Sequence, residues 1–125
     1  MAVNTLDTQI PDSSTKIDRY RQLVMQFLTE SRGNSGDRES IETQQLFDVR
    51  EDHYLILNLG WRGQERVYSV LIHLDIRDGK VWIQRNQTES EIEAELVALG
   101  ISKDDIVRGL IPPEYRALAG LDSGC

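Results

Sequence analysis

Two histidines and an aspartate, His53, His73 and Asp75, are the side chains in this sequence best suited to hold a metal ion. Imidazole nitrogens with a carboxylate favour zinc, copper, nickel or iron(II). If Arg62-Gly63-Gln64 is a three-residue loop between two strands, His53 stands across from His73, with Asp75 two positions further on the same face. The same grouping is common as a structural or interfacial contact, so the expectation on that register is no metal and no cofactor. A second chemistry is suggested by Asp78-Gly79-Lys80, which resembles the acid-any-lysine element of metal-dependent nucleases. A nuclease needs a further carboxylate aimed at the same point, and a tight hairpin explains all three residues without one.

The remaining motifs offer less. The sequence holds no Gly-rich phosphate loop, nucleophile elbow or Cys-His pair. Cys125 is the only cysteine, which excludes an intrachain disulfide and a zinc site built on several thiolates. Asn86-Gln87-Thr88 fits a glycosylation sequon, but Thr88 is better read as a helix cap. The set of catalytic residues is therefore expected to be empty, and the chain to be no enzyme.

The elements that position these residues follow from periodicity. Ile17, Tyr20, Leu23, Val24, Phe27 and Leu28 recur at helical spacing, with Ser13 or Ser14 as the cap and SRGNSGD as the terminating loop. Strands are predicted over 41–49, 53–61, 66–76 and 81–86. Asp78-Gly79 between the last two is the strongest short-range hairpin signal, because a type I′ turn needs positive φ at both central positions. Thr88 and Glu91 have capping-box spacing ahead of Ile92, Leu96, Val97 and Leu99, and Gly100 ends that helix. Ser102 with Asp105 predicts a last short helix over DDIVRGL, broken by Pro112 and Pro113. The fold expected is α+β: a four-stranded antiparallel meander with an N-terminal helix and C-terminal helices packed on one face. The organisation expected is an arm over 1–13, one domain over 14–118 and a tail over 119–125.

A two-residue Asp78-Gly79 loop sets Ile76 opposite Val81, Asp75 opposite Trp82, Leu74 opposite Ile83 and His73 opposite Gln84. One face then carries Tyr68, Val70, Ile72, Leu74, Ile76, Val81 and Ile83, a floor for the helices. The other carries Val67, Ser69, Leu71, His73, Asp75, Trp82, Gln84 and Asn86, and, if the strand over 53–61 pairs around Gly63, also Leu55, Leu57 and Leu59. A wet sheet face should be polar, so leucines and a tryptophan there imply a cover. The chain's own last helix and tail are one candidate. A second copy or a foreign protein is the other, and it makes His73, Asp75, Trp82, Gln84, Leu55 and Leu57 the partner-binding residues.

Composition limits the partner. With 39% apolar and 28% charged residues the sequence is that of an ordinary globular domain. A net charge of -7, with basic residues dispersed among acidic ones, disfavours direct DNA binding, which requires clustered Lys and Arg. No apolar run approaches the roughly 20 residues of a membrane span, and the N-terminus has neither the basic start nor the apolar middle of a signal peptide. A cytoplasmic protein without membrane contact is expected.

Three stretches, FDVREDHYLILNLGWRGQERVYSVL (47–71), HLDIRDGKVWIQ (73–84) and TESEIEAELVALGISKDDIVRGL (88–110), together resemble the cyanobacterial XisI family of fdxN element excision controlling factors. The likeness runs from about Ile17 through Pro112-Pro113, while the segments before Ser14 and after Tyr115 depart from the family pattern. The resemblance implies an α+β fold and a part in controlling excision of a DNA element, alongside a site-specific recombinase and a nuclease-like companion, XisH. It brings no catalytic residues. The implied role is a non-catalytic accessory factor that binds a XisH-like partner and meets DNA only through it, and self-association is also expected. The alternatives are a metal-dependent nuclease subunit using Asp75, Asp78 and Lys80, or an antitoxin-like inhibitor of a nuclease partner.

Overall fold

The computed structural model describes residues 12–32 and 40–118. Most of the expected arm over 1–13 and all of the tail over 119–125 fall outside the described residues. Helix α1 (Asp12–Arg32) precedes strands β1 (Ser40–Asp48), β2 (His53–Arg62), β3 (Glu65–Arg77) and β4 (Lys80–Asn86). Helix α2 (Ile92–Leu99), a 3₁₀ turn (Lys103–Asp105), strand β5 (Ile106–Val107) and helix α3 (Pro113–Leu118) follow. No helix among the described residues is long and apolar enough to cross a membrane.

The expected α+β architecture stands, with one strand more than predicted. The sheet runs β1-β2-β3-β4-β5; the first four strands form an antiparallel meander and β5 joins β4 in parallel. The helix predicted over DDIVRGL is therefore a 3₁₀ turn and a short strand. Ser102 does cap, accepting the Asp104 N–H at 3.3 Å. The Asp105 carboxylate, however, is taken by Tyr20 at 2.6 Å and Lys16 at 2.9 Å from α1. Two β-branched residues then follow, Ile106 and Val107, both buried, and they fit a pleated sheet better than a helix. Pro113 begins α3 rather than breaking a helix, as suits a residue with no N–H to leave unsatisfied in a first turn.

Asp105 sits 15% exposed at its side chain. Burial pushes its pKa up, but hydrogen bonds from Tyr20 and Lys16 outweigh this and hold it below the usual 3.8. A depressed carboxylate stabilises the folded state fully above its unfolded pKa, and the contribution disappears as pH falls through the folded value. Asp105→Asn is therefore expected to cost about 1–2 kcal/mol at pH 7. The gap between variant and parent in urea titrations should close between pH 5 and pH 2, and a gap independent of pH would refute the assignment.

The capping box expected from Thr88 and Glu91 does not form. Glu91 occupies the N-cap of α2 without a side-chain hydrogen bond. Thr88 instead donates to Asn86 Oδ1 at 2.6 Å and accepts the Ser90 N–H at 3.1 Å. Two successive side-chain turns thus occupy the residues that would have been the first helical turn. Glu93 and Arg108 form an ion pair that ties α2 to the segment after β5.

The core lies between α1, α2 and one sheet face. Tyr20, Val24, Phe27 and Leu28 of α1 and Ile92 and Leu96 of α2 bury against Tyr54, Ile56, Ile72, Leu74, Ile76, Val81 and Ile83. The Asp78-Gly79 turn has φ of 54° and 77°, the type I′ values its sequence required. Arg21 clamps the β1–β2 turn, its Nε and Nη2 reaching the two oxygens of Asp52 at 2.8 and 3.1 Å.

Two β-bulges alter the expected alternation. The β2–β3 loop is Gly63-Gln64, one residue shorter than predicted, since Arg62 pairs with Glu65. The register then shifts at Ile56/Leu57, so Ile56 faces Ile72 while Leu57 faces Val70, and Leu71 is the extra residue. Below that point the parity of β3 reverses. Tyr68 and Val70, expected in the helix-covered floor, lie opposite Leu59 and Leu57 on the outer face. Val67 and Ser69, expected outside, pair with Gly60 and Asn58 on the inner one, and Leu71 packs against the core. A second shift, between His73 and Leu74, makes Gln84 the extra residue of β4 and sets Arg85, not Gln84, opposite His73.

Candidate functional site

The outer face of the sheet is the surface on which the sequence-predicted residues meet. His53 and Leu55 come from β2, His73 and Asp75 from β3, and Trp82 from β4, with His53 paired to Asp75, Leu55 to His73 and Trp82 to Asp75. The shorter β2–β3 loop and the bulge each shift the register by one residue, and together they move His53 from the expected position opposite His73 to the one opposite Asp75.

Asp75 is the hub. It is only 6% exposed. Its Oδ1 lies 2.9 Å from His53 Nδ1 and 2.8 Å from His73 Nε2, while Oδ2 accepts from Gln84 Nε2 at 3.2 Å. Gln84, two residues beyond Trp82 on β4, lies on the same side of the sheet and reaches the carboxylate. Burial pushes the Asp75 pKa up, yet the hydrogen bonds from His53, Gln84 and His73 prevail and hold it below the usual 3.8. The hydrogen bond to Asp75 raises the His53 pKa above its ordinary 6.5 against a lowering by burial, with the charges of Asp75, Asp48 and Glu51 adding to the rise. The two imidazoles stand edge to face with centroids 6.2 Å apart.

Trp82 flanks this cluster, half-buried, its ring lying between the guanidinium groups of Arg77 at 5.0 Å and Arg116 at 5.6 Å. Helix α3 thus brings Arg116 to the face opposite α1 and α2, which corrects the expectation that the C-terminal helices share one face. The indole N–H of Trp82 is buried without an acceptor.

Away from the cluster the outer face mixes apolar side chains with Glu42, Gln44 and Arg66. Leu57 is buried and Leu55 and Leu59 are half-buried, whereas Leu46, Trp61 and Tyr68 are 54%, 47% and 68% exposed. All six predicted partner-binding residues lie on this face, but Leu57 and Asp75 are already sheltered within the single chain. Sequence reasoning missed Leu46, Trp61 and Tyr68. Leu46 needed the β1–β2 register, which pairs it with Leu55, and Tyr68 needed the bulge, whereas alternation after Leu55, Leu57 and Leu59 along β2 was enough to place Trp61.

Asp78 and Lys80, the other half of the nuclease alternative, sit in the β3–β4 turn and at the start of β4. Among the described residues the grouping of His, Cys, Asp and Glu close enough to share an ion is His53, His73 and Asp75, and Asp78 is outside it.

The fold has clear relatives. A XisI-like protein from Anabaena variabilis superposes with a TM-score of 0.76 at 38% identity, covering 80% of this chain and 92% of that one. The fdxN element excision controlling factor XisI from the same organism gives a TM-score of 0.71 at 29% identity, covering 81% and 98%. No curated protein matches the sequence significantly. The XisI family model, described as XisI protein, matches residues 14–122, nearly the whole of the described domain, and the chain belongs to the XisI family.

Proposed function

We propose that the protein is a non-catalytic controlling factor for excision of a DNA element and that it acts by binding a XisH-like nuclease-fold partner through the outer face of its sheet. The observation that carries this reading is the exposed apolar trio Leu46, Trp61 and Tyr68 on a sheet whose other face is already filled by α1 and α2. Exposed apolar and aromatic side chains spread over one sheet face beside mixed polar groups have the make-up of an interface, with aromatic anchors and a polar flank in His53, His73 and Gln84. The net charge of -7 supports docking onto a DNA-processing protein rather than onto DNA. A role in excision control accords with membership in a family that includes an fdxN element excision controlling factor.

Co-purification with a XisH-like protein tests it. Tyr68→Glu and Leu46→Glu place a carboxylate in the patch at sites so exposed that stability should move by less than about 0.5 kcal/mol. Each is expected to weaken the complex at least tenfold. Retention of full affinity in both variants would rule out this face.

A further inference from the structure

We propose that His53, His73 and Asp75 form a binding site for a divalent transition-metal ion on the outer face of the sheet. The three ligand atoms lie within 4.8 Å of one another on adjacent strands. Around an ion with ligand bonds of about 2.1 Å at right angles, neighbouring donor atoms are about 3 Å apart. Asp75 Oδ1 already stands 2.9 Å from His53 Nδ1 and 2.8 Å from His73 Nε2, so two of the three edges of a facial triad are set. The third edge closes by a small turn of the His53 ring, whose side chain is 53% exposed.

The surroundings are those of a supported site. Gln84 donates to the second oxygen of Asp75 and fixes the carboxylate with Oδ1 toward both imidazoles. A hydrogen bond of this kind to a ligating group orients it and commonly changes metal affinity by tenfold or more when removed. The carboxylate itself is buried, and its hydrogen-bonding partners are two imidazoles and an amide. A cation placed among the three would replace those hydrogen bonds with ligand bonds. Each imidazole would then present a lone pair to the ion and carry its proton on the other ring nitrogen, and an imidazolium would release its proton to solvent. The exposed side of His53 leaves further coordination positions open to water or to a side chain of another molecule. Two nitrogens and one oxygen suit zinc, cobalt or nickel, and disfavour magnesium and calcium, which prefer oxygen ligands. The inference reverses the sequence-based expectation of no metal, which rested on how often such a grouping is a structural or interfacial contact; the observed register sets His53 directly opposite Asp75. No partner protein enters it, so it stands or falls apart from the docking face.

The test uses tag-free, chelator-treated full chain carrying Cys125→Ser, which removes the only thiol as a competing ligand. Calorimetric titration with zinc chloride is expected to show one ion per chain, and magnesium chloride no binding. His53→Ala, a change at a half-exposed side chain that leaves the core intact, and His73→Ala should each weaken zinc binding at least tenfold. Zinc should raise the thermal midpoint of the parent and leave that of His53→Ala unmoved. Zinc affinity unchanged in both histidine variants, or no zinc binding by the parent, would overturn the site.

Discussion

Gly60→Ala is expected to lower the unfolding free energy by at least about 3 kcal/mol and to free the start of β1 from the sheet. Gly60 has φ of 153°, and a Cβ built there would fall 1.9 Å from Ser40 O and 2.8 Å from Ile41 Cα. Both atoms belong to the β1 backbone, so no side-chain rotation relieves the overlap. Either β1 moves away or β2 adopts another conformation, and both break the Ile41–Gly60 pairing. Urea denaturation measures the loss, and hydrogen exchange at residues 40–43 should accelerate before exchange in β3. A loss under 1 kcal/mol would mean that the two strands are not held this close.

Tyr20→Ala should cost about 4 kcal/mol, within the range for removing a buried aromatic ring. Tyr20 is 1% exposed, and its hydroxyl donates to Asp105 at 2.6 Å while accepting the Ser102 N–H at 3.3 Å. The ring thus supports α1 packing while its hydroxyl anchors the turn that delivers β5. Tyr20→Phe separates the two roles. It keeps the ring and leaves the Ser102 N–H without that acceptor, for an expected loss of about 1–2 kcal/mol. Burial and the Asp105 hydrogen bond both raise the Tyr20 pKa, so the phenol stays a donor throughout the neutral range. Equal stabilities of the Phe and Ala variants would show that the hydroxyl, not the ring, supplies the stability.

What the residues reveal by themselves divides along a physical line. Local signals succeeded wherever a short segment decides its own conformation. The α1 stripe Tyr20, Val24, Phe27 and Leu28 is buried as its spacing required, and Asp78-Gly79 makes its type I′ turn. Failures came where distant contacts decide. A bulge has no signature in VYSVLIHL, because apolar residues at nearly every position satisfy either face after a one-residue slip. The fifth strand was hidden for a related reason. Ser102 and Asp105 look like a helix start until Tyr20 and Lys16, far earlier in the chain, take the carboxylate. At the candidate site the residue types were legible and the geometry was not. His53, His73 and Asp75 could be picked as a set, but only the shorter loop and the shift at Ile56/Leu57 together set His53 opposite Asp75.

The unequal borders of the sheet limit what can be stacked beside it. Among the described residues, Ser40–Asp48 lines one rim with nine residues, whereas on the other side Ile106–Val107 pairs with two residues of β4. Head-to-tail addition of copies needs both rims, and a two-residue strand gives an incoming copy little backbone to pair with. Two molecules meeting rim to rim through Ser40–Asp48 would use up the long border of each, and the assembly would close as a symmetric pair.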